Sequence, residues 1–146
     1  MGETTGLEGM ICFELYAASR AMTALYRPAL DAEDLTYPQF LALRVINDRG
    51  TLTVGELGRV LGLDSGTLSP LLRRLDQRGL TLRGRGESDQ RKVWTQLSPK
   101  GQLLHDRLAD LPTRLGCALD LTTEEFTTLS TLLGKLRSSA TTSTIS

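Results

Sequence analysis

The sequence predicts a mainly α-helical fold with one small β-hairpin, and three observations predict it. Apolar residues, leucine above all, recur at helical spacing in successive stretches of the 146-residue chain. Ser, Thr, Asp and Pro stand where those stretches begin, and Gly where several stop. Two β-prone segments, 80–85 and 92–97, bracket a charged tip that contains Gly86.

The elements follow in order. Met1 to Gly6 is polar and expected to fray. From Leu7 to about Leu25 the chain reads as a helix with apolar residues on more than one face. In so small a chain, the economical cover for such a helix is a second copy. Pro28 is expected to disturb or end it. Thr36-Tyr37-Pro38 starts the next helix, with Pro38 in its first turn, and Asn47 to Gly50 stops it. Thr51 to Thr53 is a short extended segment. Thr53 then caps a helix with Glu56 three places on, as in a capping box, and Gly62 ends it.

The stretch Leu63-Asp64-Ser65-Gly66-Thr67-Leu68-Ser69-Pro70-Leu71-Leu72-Arg73-Arg74-Leu75 organises the rest. Leu68, Leu71, Leu72 and Leu75 form one apolar stripe. Gly66, Pro70, Arg73 and Gln77 fall on the far side, flanked by Thr67, Ser69 and Arg74. Small hydroxyl residues let such a helix approach a major groove, and arginines meet phosphates or guanine edges. Alone, it could equally be an ordinary amphipathic surface helix. Pro70 removes a backbone donor, so the helix is expected to start near Ser65 with an imperfect first turn. Gly79 closes it.

The hairpin comes next, with Arg85 to Arg91 as its tip and Asp89 expected to hold that tip by bonding backbone donors or Arg91. Helix, Gly-containing turn, second helix with a polar-basic front and then a hairpin make a winged helix-turn-helix. Ser98-Pro99 opens a long helix that Pro112 bends or breaks. Thr122 and Glu125 form a capping box for the last helix, and Ser138 to Ser146 reads as a disordered tail. His105 is expected on a helix face. The expected layout is a dimerisation helix over 1–34, a winged helix-turn-helix over 35–97, further dimerisation helices over 98–138 and a tail over 139–146. The fold class is thus mainly α with a small β-hairpin wing: a winged helix-turn-helix inside a helical dimerisation domain.

Seventeen basic and seventeen acidic side chains cancel over the whole chain. Between Arg73 and Lys92, however, seven basic residues face three acidic ones, a net +4. One basic patch on an otherwise acidic body is an electrostatic footprint for a polyanion. No apolar run spans a bilayer and no signal peptide pattern opens the chain, so a cytoplasmic protein with no membrane partner is expected. Two cysteines do not make a disulfide framework, and both thiols are expected reduced at rest. With one His and two distant Cys, neither a metal site nor a cofactor is expected.

Taken alone, Cys12 and Cys117 read as small buried hydrophobes. Nearly the whole chain, however, resembles the MarR family of winged-helix repressors. The stretch Leu63 to Leu75 is similar to the family's recognition helix, and Glu87-Ser88-Asp89-Gln90-Arg91 to its D-x-R wing tip. Ile11-Cys12-Phe13-Glu14-Leu15-Tyr16, with Ser19 to Thr23, resembles the first helix of the organic-hydroperoxide-sensing subgroup, OhrR. Tyr26-Arg27-Pro28 and Leu35-Thr36-Tyr37-Pro38-Gln39 match that subgroup too.

The resemblance implies a homodimer with one winged helix per half-site of a pseudo-palindromic operator in double-stranded DNA. It implies that Cys12 senses organic hydroperoxide, with Tyr26 and Tyr37 bonding the sensing cysteine of the other subunit and Tyr16 either lining the pocket or filling core. Cys117 resembles the resolving cysteine of two-cysteine members, whose disulfide forms within or between subunits. The residues assigned to DNA are Ser65, Thr67, Ser69, Pro70, Arg73, Arg74 and Gln77 on the helix, and Arg83, Arg85, Asp89, Arg91 and Lys92 on the wing.

The expected function is therefore a transcriptional repressor, not an enzyme, released from DNA when Cys12 is oxidised. Two alternatives stand beside it. One is a MarR-type repressor released by a non-covalent aromatic or phenolic ligand. The other is a thiol peroxidase, disfavoured because no His, Arg or Thr set near Cys12 suits acid–base work and the basic wing would have no role.

Overall fold

A computed structural model describes residues 6–89 and 91–143. Within the segments expected to fray or to be disordered, residues 1–5 and 144–146 lie outside the described ones, as does Gln90 in the wing tip. The chain forms two compact units, Met1–Pro112 and Thr113–Ser146.

The first unit opens with α1, Ile11–Ala32. This helix starts later than Leu7 and runs straight past Pro28, against expectation. Pro28 and Ala24, whose carbonyl loses its donor, are both exposed, so the unmatched carbonyl faces solvent. Of the whole helix only Tyr26 and Leu30 are buried. Helix α2, Tyr37–Arg49, is capped by Thr36, whose hydroxyl accepts from Gln39 N–H while Gln39 Oε1 accepts from Thr36 N–H. Strand β1, Leu52–Thr53, leads into α3, Val54–Leu61, through the Thr53–Glu56 capping box that the sequence predicts. Helix α4, Ser65–Gln77, follows after a short turn, and Gly79 leaves it at φ +69°, where a side chain would be strained.

Strands β2, Thr81–Arg85, and β3, Val93–Leu97, form the hairpin, in the register Thr81↔Leu97 to Arg85↔Val93. The sheet has a third strand: β1 pairs antiparallel with β3, Leu52 opposite Thr95, so the order is β1-β3-β2. The extended segment before α3 therefore fastens the root of the wing to the helix-turn-helix.

Helix α5, Pro99–Leu108, starts on Ser98, which accepts Gly101 N–H at 3.0 Å. A Cβ on Gly101 would stand 1.9 Å from the Leu80 carbonyl oxygen, so only glycine lets α5 seat there. The helix stops at Leu108, earlier than expected, because Pro112 cannot donate to that carbonyl. The chain restarts as α6, Leu111–Cys117, with Pro112 in its first turn. His105 lies on the buried face of α5, 8% exposed, its Nδ1 3.3 Å from Asp106 Oδ1. The core of this unit is Leu43, Ile46, Leu57, Leu68, Leu72, Leu75 and Leu80, each fully buried.

In the second unit α7, Thr123–Thr142, starts on the Thr122–Glu125 capping box. It continues beyond Ser138, into the expected tail. The Thr141 and Thr142 hydroxyls bond back to the carbonyls of Arg137 and Ser138, which lets these residues stay helical. No residue of α7 is buried. Phe126, Leu129, Leu132, Leu133 and Leu136 are all exposed, as are Ile11, Phe13, Met22 and Leu25 on α1. Apolar stripes of this size on a single chain mark surfaces for association.

Candidate nucleic-acid interface and thiol positions

Helix α4 presents the predicted two faces. Leu68, Leu72 and Leu75 are buried beneath it. Ser65, Thr67, Pro70, Arg73, Arg74 and Gln77 are exposed, and Ser69 is half-buried. Asp64 caps the helix, accepting Thr67 N–H at 2.8 Å. That bond, more than any other contact, holds the Asp64 carboxyl below the usual range. The start near Ser65 is thus as the sequence predicts, with the cap offsetting a first turn weakened by Gly66 and Pro70.

The wing is tied to this helix by one side chain. Asp76, in the last turn of α4, accepts from the Thr81 hydroxyl and from Arg83 Nε at 2.5 Å. Arg83, assigned to DNA from the sequence, is thereby the link between β2 and α4. At the tip, Asp89 Oδ1 accepts Arg91 N–H at 3.0 Å, and the Asp89 carbonyl accepts Lys92 N–H at 3.1 Å. Asp89 holds the tip through backbone donors, one of the two arrangements anticipated. Gly86 N–H closes the loop on the Lys92 carbonyl, and a Cβ there would meet Asp89 O and Trp94 Nε1 at 2.9 Å. Arg85, Arg91 and Lys92 are exposed on the hairpin. The exposed cations of α4 and the wing belong to one rigidly linked substructure, as groove and backbone contacts by one module require.

Arg78 was counted in the basic cluster but has another part. Its Nη1 donates to the Asp34 carbonyl at 2.5 Å and its Nη2 to the Glu33 carbonyl at 2.8 Å. The Glu33 carboxylate takes a two-pronged pair from Arg107 of α5, at 3.0 and 2.9 Å. The bond from Arg107 holds Glu33 below the usual carboxylate range. Backbone carbonyls leave no signature in sequence, so these contacts could not be read from it.

The thiol positions are the second feature. Cys12 is exposed, in the first turn of α1, where free N–H groups and the helix dipole favour an anion. Cys117, the last residue of α6, is exposed too. Neither is the small buried hydrophobe that its surroundings in sequence suggest. Tyr16, one turn after Cys12, is 61% exposed with the Arg20 guanidinium 5.6 Å from its ring centre, so it fills no core of its own chain. Tyr26 and Tyr37 do converge, with ring centres 5.0 Å apart and edge-on, and Phe40 packs 5.6 Å from Tyr26. Burial first, and then Tyr37, push the Tyr26 hydroxyl above the usual tyrosine range. Tyr26 therefore stays protonated, a donor to any acceptor placed beside it.

Among the described residues no group of His, Cys, Asp and Glu could hold a metal ion, and no helix is long and apolar enough to cross a membrane.

Comparison with known proteins places these features. The sequence pattern of the MarR family matches residues 35–93. The organic hydroperoxide resistance transcriptional regulator of Bacillus subtilis is 49% identical over 106 residues, which is 73% of this chain and 72% of that protein. Among solved structures, a mutant MarR from E. coli complexed with operator DNA superposes with a TM-score of 0.82 at 26% identity, covering 92% of this chain and 99% of that one. Reduced AbfR bound to DNA superposes with a TM-score of 0.79 at 28% identity, covering 92% of each chain.

Proposed function

The chain belongs to the MarR family of transcriptional regulators, and from that premise we propose that it is a peroxide-released repressor. It binds a pseudo-palindromic operator as a homodimer and leaves it when Cys12 is oxidised by an organic hydroperoxide. The observation that carries this reading is the exposed Cys12 in an apolar stripe of α1, with the Tyr26–Tyr37 pair at that helix's other end. The likeness to the Bacillus subtilis regulator supports the choice of oxidant.

The exposed apolar stripes on α1 and on α7 support association, since each needs a cover that this chain alone does not give it. In the dimer each α4 enters the major groove of one half-site, with Arg73, Arg74 and Gln77 towards bases or phosphates. Arg91 and Lys92 reach the backbone or minor groove beside it. The likeness to a MarR bound to operator DNA supports that placement.

The redox step balances simply. The Cys12 thiolate attacks one peroxide oxygen; an S–O bond forms and the O–O bond breaks. The alkoxide leaves and takes a proton as the alcohol, so the peroxide is reduced and sulfur oxidised to sulfenic acid. The Cys117 thiol then displaces water from that sulfur and closes a disulfide that thiols reduce. An apolar setting of Phe13, Ile11 and Tyr16 around Cys12 favours hydroperoxides with a greasy tail over hydrogen peroxide.

Mass spectrometry of Cys12 after one equivalent of cumene hydroperoxide tests this reading. Sulfenic acid or a disulfide at Cys12, with peroxide consumption stopping at about one equivalent per subunit without reductant, is expected. An unmodified Cys12 would point instead to release by a non-covalent ligand, and many turnovers to a peroxidase.

A further inference from the structure

The end of α1 is fastened to the end of the recognition helix by a single side chain. Arg78, the residue that closes α4, sends both terminal nitrogens into the carbonyls of Glu33 and Asp34. Those carbonyls lie where α1 ends: Glu33 is its C-cap, and Asp34 sits at φ 52°, a left-handed conformation that Asp tolerates better than most residues. The Glu33 side chain meanwhile takes the Arg107 guanidinium of α5. Three helix ends therefore meet at two residues. Elsewhere along this seam lies an open cavity of about 520 Å³, with Asp31, Asp34 and Leu35 on one wall and Arg74, Gln77 and Arg78 on the other. An apolar seam would let the helices slide as a continuum. Here a planar fork on two fixed acceptors links them, and it is either seated or broken.

We infer that Arg78 is a positioning residue that couples α1 to the orientation of the recognition helix, so that a displacement of α1 is passed to the DNA-reading face through the Glu33 and Asp34 carbonyls. The coupling is reciprocal: DNA that fixes α4 must also steady the end of α1. As a route for release on oxidation it rests on the redox reading above. As a mechanical link it does not.

Hydrogen–deuterium exchange on the full-length reduced protein tests it, with and without a duplex that the wild-type chain selects from a random-sequence pool. In the wild type, DNA should slow exchange over residues 29–35 by at least about threefold. In Arg78→Ala that protection should vanish while DNA still protects residues 65–77. Arg78→Lys keeps the charge and the stem but cannot span both carbonyls, so it should fold normally and lose most of the effect. Equal protection of residues 29–35 in all three proteins overturns the inference, as does its absence in the wild type. A second arm adds cumene hydroperoxide. A wild type that keeps its DNA after Cys12 is oxidised overturns the redox reading and leaves the exchange result standing. A wild type that releases DNA while Arg78→Lys shows undiminished protection overturns the coupling alone.

Discussion

The rings of Tyr26 and Tyr37 meet edge-on at 5.0 Å, joining the later part of α1 to the first residue of α2. Cys12 is fourteen positions before Tyr26 on the same continuous helix, about 21 Å away at 1.5 Å per residue. The pair cannot serve the thiol of its own chain. In the proposed dimer it serves the Cys12 of the other subunit.

Tyr26→Phe and Tyr37→Phe keep the rings and their packing and remove only the hydroxyls. Both variants should fold, dimerise and bind DNA nearly as the wild type does in the reduced state. Losing one hydrogen bond of about 1 kcal/mol to the reacting sulfur should slow Cys12 oxidation about fivefold. Stopped-flow mixing with an organic hydroperoxide measures this. Wild-type rates in both variants would make the tyrosines packing residues only.

On the DNA face, Arg73→Ala should weaken binding by about 1–3 kcal/mol if it reaches a base edge. Arg91→Ala should lower the salt slope of binding by about 1, as expected for one lost phosphate contact. Neither residue is buried, so thermal melting should be unchanged in both. Full affinity in the double variant, or binding that ignores salt, would remove the assignment.

Gly101→Ala is expected to destabilise the first unit by at least about 2 kcal/mol, because the added methyl meets the Leu80 carbonyl and α5 must back away. The shift should appear in the thermal midpoint. A midpoint like the wild type's would mean that α5 is not seated as described.

Cys117 and Cys12 are both exposed, so each is open to a partner sulfur. A disulfide needs their α-carbons within about 7 Å. Non-reducing electrophoresis after peroxide should show a linked dimer that Cys117→Ser abolishes. A linked species that survives the substitution, or monomer alone from the wild type, counts against Cys117 as resolver.

Local signals carried most of this fold. Capping residues placed the starts of α3, α5 and α7, and the leucine stripe of α4 separated its buried from its exposed face. The misses share a cause in longer-range context. Pro28 reads as a helix stop, yet the chain tolerates it where the freed carbonyl faces water. His105 reads as a helix-face residue, and only the packing of α5 shows its face to be the buried one. The two cysteines read as core because apolar neighbours surround them in sequence; in the fold those neighbours form an exposed stripe. Arg78 and Arg83 read as outward cations like their neighbours. Their partners, two carbonyls in one case and Asp76 in the other, become visible only once the helices are placed.

The central claim is that oxidation of Cys12 releases DNA, and one titration tests it most directly. A labelled duplex selected by the wild-type chain is titrated with protein in dithiothreitol, then after cumene hydroperoxide, then after dithiothreitol is restored. The wild type should lose at least about tenfold in affinity, equivalent to about 1.4 kcal/mol, and recover it on reduction. Cys12→Ser should bind equally in all three states. Unchanged affinity in the oxidised wild type, or release of Cys12→Ser by peroxide, would contradict the account.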